Sequence, residues 1–192
     1  MYLIYDTETT GFPDYKLNLD NPSNARVVQL ACLLLDDKFN ELACFASLIK
    51  PDGWTIHSGA QQAHGISLEL CQEYGIEMSI ILPLFEALAN RADILVAHNK
   101  KFDHRMMSVE LALAGRALFD FPDNKCHCTM DITTNICKLP SKIPGKYKWP
   151  KLQEAYSFFF HEELKGAHDA LVDCRATARI YQYLVTNKLV VG

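Results

Sequence analysis

Between Val27 and Leu35 the chain is apolar almost without a break. A strand with one wet face alternates apolar and polar residues, whereas a run of this kind suits a strand buried on both faces. Two more β-rich runs flank it. Tyr2 to Asp6 comes before, and Leu42 to Ile49 comes after and ends in the turn Pro51-Asp52-Gly53. Strands in succession imply antiparallel hairpins at the front of the fold.

The pattern then changes. Ser67 to Tyr74 and Ser79 to Arg91 read as helices, the second with Ile80, Leu84, Ala87 and Leu88 on one side. Ile94 to Ala97 is a short apolar strand. A helix from about Lys101 to Ala114 follows, stopped by Gly115, with the stripe Phe102, Met106, Val109, Leu113. Cys126 to Thr129 reads as a strand and Asp131 to Cys137 as a helix. Lys138 to Trp149 is a loop. The stretch from Lys138 to Lys151 holds five lysines and no acids. Helices follow from Lys151 to Phe160, with Leu152, Ala155, Tyr156 and Phe159 inward, and from about Asp169 to Thr186, with Ala170, Cys174, Ala178 and Tyr181 inward. Strands first, then alternating helices and strands, indicate one α/β domain around a mixed sheet. At 192 residues and 49% apolar, a single domain over residues 1–192 is expected, with a core that needs no staples.

Composition excludes several classes. No stretch approaches the ~20 apolar residues of a membrane span, and Met1 to Asp6 has no basic n-region, so neither a membrane association nor a signal peptide is expected. The seven cysteines, an odd number, read as free thiols in a cytoplasmic setting. Cys126-His127-Cys128 lacks both the spacing and the second pair of a structural zinc site and reads as strand residues. The net charge of −4 argues against a broad basic coat on duplex DNA, but not against local grip on a few nucleotides.

Three clusters carry chemistry. Asp6 and Glu8, two apart on a strand, project to one face roughly 6–7 Å apart. They repel unless a hard cation lies between them, and oxygen ligands select magnesium or manganese; as an alternative, they are solvated acids at an exposed strand end. Thr9-Thr10-Gly11 then turns the chain. His98-Asn99-Lys100-Lys101-Phe102-Asp103 follows an apolar strand and puts Asp103 at the edge of a helix's buried face, near the strand ends where α/β sheets bind ligands. As an alternative, Asp103 is an ordinary acid at a helix N-terminus. In His168-Asp169-Ala170-Leu171-Val172-Asp173, Asp169 is the N-cap. His168 lies on the loop and can move, while Asp173 is fixed on the helix, a division that suits a general base and a metal ligand; as an alternative, His168 is an ordinary surface residue at a helix start.

In this order, the Asp-x-Glu-x-Thr-Gly strand end, the His-Asn-x-x-Phe-Asp helix start and the His-x4-Asp helix resemble the DEDDh 3′–5′ exonuclease family, of the DNA polymerase III epsilon and ribonuclease T type. Gly166-Ala167-His168-Asp169-Ala170 is especially similar to its third motif, and the resemblance runs from Tyr2 to about Tyr183. It implies a ribonuclease H-like mixed five-stranded sheet flanked by helices. It implies that Asp6, Glu8, Asp103 and Asp173 hold two divalent ions, Mg²⁺ or Mn²⁺. It further implies that His168 takes a proton from the attacking water and that 5′-mononucleotides leave a 3′ end.

The resemblance also suggests substrate contacts. Phe12 stacks on the terminal base or belongs to the core. His64, in Ala63-His64-Gly65-Ile66, lies near the terminal nucleotide or on the free surface. Thr9 belongs to the same catalytic turn. Asn99 meets sugar or phosphate, or caps the following helix. Lys146 and Lys148, with Tyr147 and Trp149, form a single-strand funnel or a solvated loop, and Trp149 is either part of it or packed beneath it. The expected activity is exonucleolytic trimming of single-stranded DNA or DNA 3′ ends, in proofreading or processing and with a DNA polymerase as a candidate partner. Alternatives are RNA 3′ trimming and a binding-only module. The last has no physical need for four converging carboxylates, which are costly to hold together. Gly192 follows soon after the third motif, so a free-standing enzyme or short accessory subunit is expected.

Overall fold

The structure is a computed structural model that describes residues 1–117 and 123–190. Gly192, the expected domain end, lies outside the described residues. Strands β1 (Tyr2–Thr9), β2 (Val27–Leu35) and β3 (Glu41–Leu48) form the expected antiparallel succession. β4 (Ile94–Ala97) and β5 (Cys126–Cys128) join in parallel on the other side of β1, giving the order β3-β2-β1-β4-β5. The sheet is thus mixed and five-stranded. Its helices are α1 (Ser58–His64), α2 (Leu68–Tyr74), α3 (Met78–Ala89), α4 (Lys100–Leu113), α5 (Thr129–Cys137), α6 (Leu152–Phe160) and α7 (Ala170–Thr186).

β1 sits at the centre, and its two faces explain the layers. Leu3 and Tyr5 pack with Leu30, Cys32 and Leu34 against α3 and α4. Tyr2 and Ile4 pack with Ala31, Leu33 and Leu35 against α7. β2 is covered on both faces, as its apolar run requires. α5 and α6 are held through a separate cluster of Cys137, Leu152 and Ala155 with Ala176, Ile180 and Leu184 of α7. β1 outruns its parallel neighbour. Its last residue paired with β4 is Ile4, whereas pairing with β2 continues through Asp6↔Ala31 and Glu8↔Gln29 to Thr9↔Val27, with a bulge between Glu8 and Thr9. The end of β1 that carries the acids therefore has one open side.

Several helices depart from the sequence reading. α3 does not bury the expected stripe: Ile80 and Leu84 are 56% and 48% exposed, Ala87 is exposed and Leu88 is half-buried, while Ile81, Leu82, Phe85 and Ala89 are buried. The helix is apolar nearly all round, so periodicity does not select a face. The large ring of Phe85, set edge-on to Tyr5 at 5.6 Å, shows which face won. α1 escapes sequence detection because it buries no residue and so has no apolar stripe; Gly65 closes it at φ 74°. α4 buries Met106 and Val109 as expected, but Phe102 and Leu113 only partly. It also buries Glu110, whose carboxylate accepts from Arg26 and from the Val27 N–H. In α6, Leu152 and Ala155 are buried while Tyr156 and Phe159 are half-buried, and in α7 Ala178 is half-buried.

Candidate active site

The alternation of β1 sorts the acids. Asp6 and Glu8 share the face of Tyr2 and Ile4, which looks toward α7. Thr7 points the other way and grips α4: its N–H (3.0 Å) and its hydroxyl (2.8 Å) both donate to Asp103 Oδ1. Asp103 is not at the edge of the buried face, as expected, but inside it, with 2% of its surface exposed. Two hydrogen bonds from the neighbouring strand hold it there.

From the third side comes α7. Asp169 caps it, with Oδ1 accepting from the N–H groups of Leu171 (3.0 Å) and Val172 (3.1 Å). His168, just before the cap, has a left-handed backbone (φ 70°) and an exposed side chain. Its backbone N–H donates to Asp173 Oδ2 at 3.1 Å. Asp173 Oδ1 is buried with no hydrogen-bond partner. Donor atoms of Glu8, His168 and Asp173 all lie within 4.8 Å of one another.

The electrostatics follow from this crowding. Desolvation, then Asp103, Asp173 and Glu8, push the Asp6 carboxyl well above its usual range. Glu8 is pushed up to about 8 by desolvation and by Asp173 and Asp103. Asp103 is raised to about 7 by burial, against the Thr7 hydrogen bonds that favour its charged form. Asp173 is raised by burial, opposed by the His168 N–H. Four acids that hold each other's protons on need cationic charge to ionise together. The four carboxylates supply oxygen donors, one of them the orphaned buried Oδ1 of Asp173, and these fit a hard divalent ion, with the His168 ring nitrogen close by.

Three clefts meet here. One, of about 330 Å³, is lined by Asp6, Glu8, Asp103 and Asp173 together with Phe12 and His168. A second, of about 480 Å³, shares Glu8, Phe12, Phe102 and His168 with the first and extends to His57 and His64. The third, of about 910 Å³, is lined by the loop residues Lys142, Lys146, Tyr147 and Lys148, and Trp149 is a wall common to it and the acid cleft.

The remaining expected residues fall as follows. Phe12 is not a core residue: it is 92% exposed, edge-on to Phe102 at 6.3 Å. His64 is not a free surface histidine. Its Nδ1 accepts from the Ile66 N–H (3.0 Å), which leaves Nε2–H to donate to the Thr9 carbonyl (3.3 Å), and burial lowers its pKa. Thr9 is buried, and its hydroxyl donates to the Gly11 carbonyl at 2.8 Å, so its proton is committed to the turn. Asn99 does not cap α4 with its side chain. It sits in left-handed backbone (φ 70°) on the wall of the acid cleft. Lys146 is exposed, whereas Lys148 is ion-paired with Glu154. Trp149 is 67% exposed and not packed beneath its loop. The Cys126-His127-Cys128 segment is strand β5, with His127 Nδ1 2.6 Å from the Tyr181 hydroxyl.

Three contributors, Thr7, Phe102 and His98, receive no functional role from the sequence, although the last two belong to its second cluster. Thr7 carries a signal in hindsight: it is the residue between two acids on a strand, so it must face the opposite layer. Phe102 reads as core from its stripe but lines both catalytic-side clefts. His98 lies 3.0 Å from the Pro150 carbonyl through Nε2 and 2.9 Å from Thr129 Oγ1 through Nδ1. Burial brings it down to about 4, so it is neutral and ties the end of the lysine loop to the start of α4.

A family model described as Exonuclease, of the RNase_T type, matches residues 3–181. Comparison with curated proteins gives no match. Among solved structures, the chain resembles E. coli exonuclease I in complex with a dT13 oligonucleotide (TM-score 0.78, 20% identity, 97% of this chain and 41% of that one). It also resembles the same enzyme with a dA16 oligonucleotide (TM-score 0.79, 20% identity, 98% and 42%). The chain thus spans about two-fifths of those proteins, and the likeness is one of fold. With the model covering nearly the whole sequence and the acidic motifs in place within it, the chain belongs to the DEDDh 3′–5′ exonuclease family.

Proposed function

We propose that this protein hydrolyses the terminal phosphodiester at the 3′ end of single-stranded DNA and releases 5′-mononucleotides. The observation that carries the reading is the convergence of Asp6, Glu8, Asp103 and Asp173 from three elements, with the exposed ring of His168 beside them. In this reading the four carboxylates hold two Mg²⁺ or Mn²⁺ ions, which when bound neutralise the acids and stabilise charge on the attacking and leaving oxygens. His168, its ring exposed and its backbone N–H held by Asp173, accepts the proton of the attacking water at a ring nitrogen.

The other residues position substrate. Phe12 and Phe102 offer aromatic surface to the terminal base, a contact tolerant of sequence. His64, through the Thr9 carbonyl, keeps the turn after Glu8 in place. Asn99 faces the sugar–phosphate from the wall of the acid cleft. Upstream phosphates pass Trp149 into the basic cleft, where Lys142 and Lys146 offer charge, Lys148 being shared with Glu154. DNA is the favoured substrate because the similar E. coli enzyme was solved with DNA oligonucleotides. Such trimming suits DNA processing in the cytoplasm, or proofreading beside a DNA polymerase.

The test uses matched 5′-labelled and 3′-labelled single-stranded DNA and RNA with Mg²⁺. Stepwise shortening of 5′-labelled DNA, with mononucleotide released at once from the 3′-labelled strand, is expected. Faster shortening of RNA would move the assignment to RNA trimming, and no shortening of either would overturn it.

A further inference from the structure

The run Val27–Leu35 holds one polar residue, Gln29, and it is the only position of β2 that is not buried. Gln29 stands directly opposite Glu8 in the β1–β2 register. It shares a face with Ala31, Leu33 and Leu35, which pack against α7, so its side chain looks toward the N-terminal end of that helix. There its Oε1 accepts from the Ala170 N–H at 3.0 Å and its Nε2 donates to Asp169 Oδ2 at 3.3 Å.

These two bonds complete the helix end from another element: Ala170 is the first residue of α7, and its buried N–H takes its acceptor from Gln29. Asp169 Oδ1 already serves the N–H groups of Leu171 and Val172, and the Asp169 carbonyl accepts from the Asp173 N–H. What Gln29 adds is an anchor to another element. It ties the two residues after His168 to the strand position facing Glu8. On the other side of His168 the chain is easily turned, since both Gly166 (φ 75°) and His168 (φ 70°) adopt left-handed backbone. The ring itself is exposed and hydrogen-bonded to nothing in the surrounding acids, and only the backbone N–H of His168 is held, by Asp173.

We propose that Gln29 is a positioning residue for His168, fixing the loop–helix junction so that the ring stays over Glu8 and Asp173. This rests on the reading of His168 as the base. A group that accepts a proton in the transition state loses much of its effect when its mean position drifts by about 1 Å. Removing the anchor takes the acceptor from the Ala170 N–H but leaves the three bonds to Asp169, so α7 keeps its start and the acids their place while the junction, and with it the ring, wanders.

The experiment is a double-mutant cycle on single-stranded DNA with Mg²⁺, using Gln29→Ala, the volume-conserving Gln29→Met, His168→Ala and the combinations. Each Gln29 variant is expected to lower kcat about 10-fold, with KM and Mn²⁺ affinity by calorimetry close to wild type. In the His168→Ala background the same substitutions are expected to cost nothing further, because there is no ring left to position. An equal loss in both backgrounds, a loss confined to KM or metal affinity, or unchanged turnover would each overturn the proposal. The underlying reading fails differently: His168→Ala would then turn over like wild type, whatever Gln29 does.

Discussion

The acid centre and the lysine loop lie side by side and share Trp149, yet they are built on opposite principles. Each acid in the centre is fixed by something else: Asp103 by two Thr7 donors, Asp173 by the His168 N–H, Asp6 and Glu8 by a strand paired along one side. Desolvation dominates there and raises all four carboxyls. The loop from Lys142 to Trp149 is exposed throughout, held at its base by His98 on the Pro150 carbonyl and by a Lys148–Glu154 pair. Where burial sets the energies, single atoms matter and effects are large. Where solvent screens charge, contributions are small and add.

The largest effects should come from breaking the centre. Asp6→Ala, Glu8→Ala, Asp103→Ala and Asp173→Ala are each expected to remove most nuclease activity, about a thousandfold or more in kcat, since each removes a donor from charge stabilisation worth several kcal/mol. Folding should survive, because a repelling carboxylate is lost from the metal-free state. A folded Asp103→Ala protein with near-wild-type turnover would remove the assignment. His168→Ala is expected to lose about 10²–10⁴-fold, the range of a positioned base, while calorimetric Mn²⁺ affinity stays close to wild type.

The same crowding predicts a pH dependence of stability. Glu8 at about 8 and Asp103 at about 7 lie above their unfolded values of 4.5 and 3.8. The folded state therefore binds more protons between those limits. Its contribution is full below about pH 4 and is lost as pH rises through 7 to 8. The Tm of protein in EDTA should fall over that window, and saturating Mg²⁺ should flatten the curve. A Tm that is flat in EDTA would show that the acids do not interact as their placement requires.

The sequence made the centre more legible than its surroundings for the same physical reason. Strand alternation puts Asp6 and Glu8 on one face, and the order of elements indicates the mixed sheet; Asp103 and Asp173 join them only through the family resemblance, and Asp103 lies inside the buried face and not at its edge. Thr7 was hidden because its partner is 96 residues away and no local pattern joins them. α1 was hidden because it buries nothing. The face of α3 was misjudged because an all-apolar helix has no preferred side until a particular ring, Phe85, meets a particular neighbour. Loop residues were the least legible: Lys146 and Lys148 look alike in sequence and differ only because Glu154 is in reach of one.

A middle effect should come from the joint between the two regions. His98→Ala removes the hydrogen bond to the Pro150 carbonyl and frees the end of the loop, including Trp149. About a fivefold rise in KM with little change in kcat is expected, in line with a lost buried hydrogen bond of about 1 kcal/mol. An equal fall in kcat would place His98 in the acid centre rather than at the loop.

The smallest effect distinguishes the two lysines. On single strands, each phosphate contact contributes about 0.7 to the slope of log affinity against log salt. Lys146→Ala should therefore flatten the slope by about that amount and weaken binding of a single-stranded oligonucleotide several-fold at low salt. Lys148→Ala should change it less, because its ammonium is already shared with Glu154 and is only partly available to a phosphate. Glu154→Gln releases that ammonium and should steepen the slope above wild type. Fluorescence anisotropy of a labelled oligonucleotide across a salt series, with Ca²⁺ in place of Mg²⁺ to slow cleavage, measures all three. Equal slopes for the two lysine variants would mean that the pair opens when the strand arrives. Slopes unchanged in both would make the loop a solvated surface and leave Trp149 as its only contact with substrate.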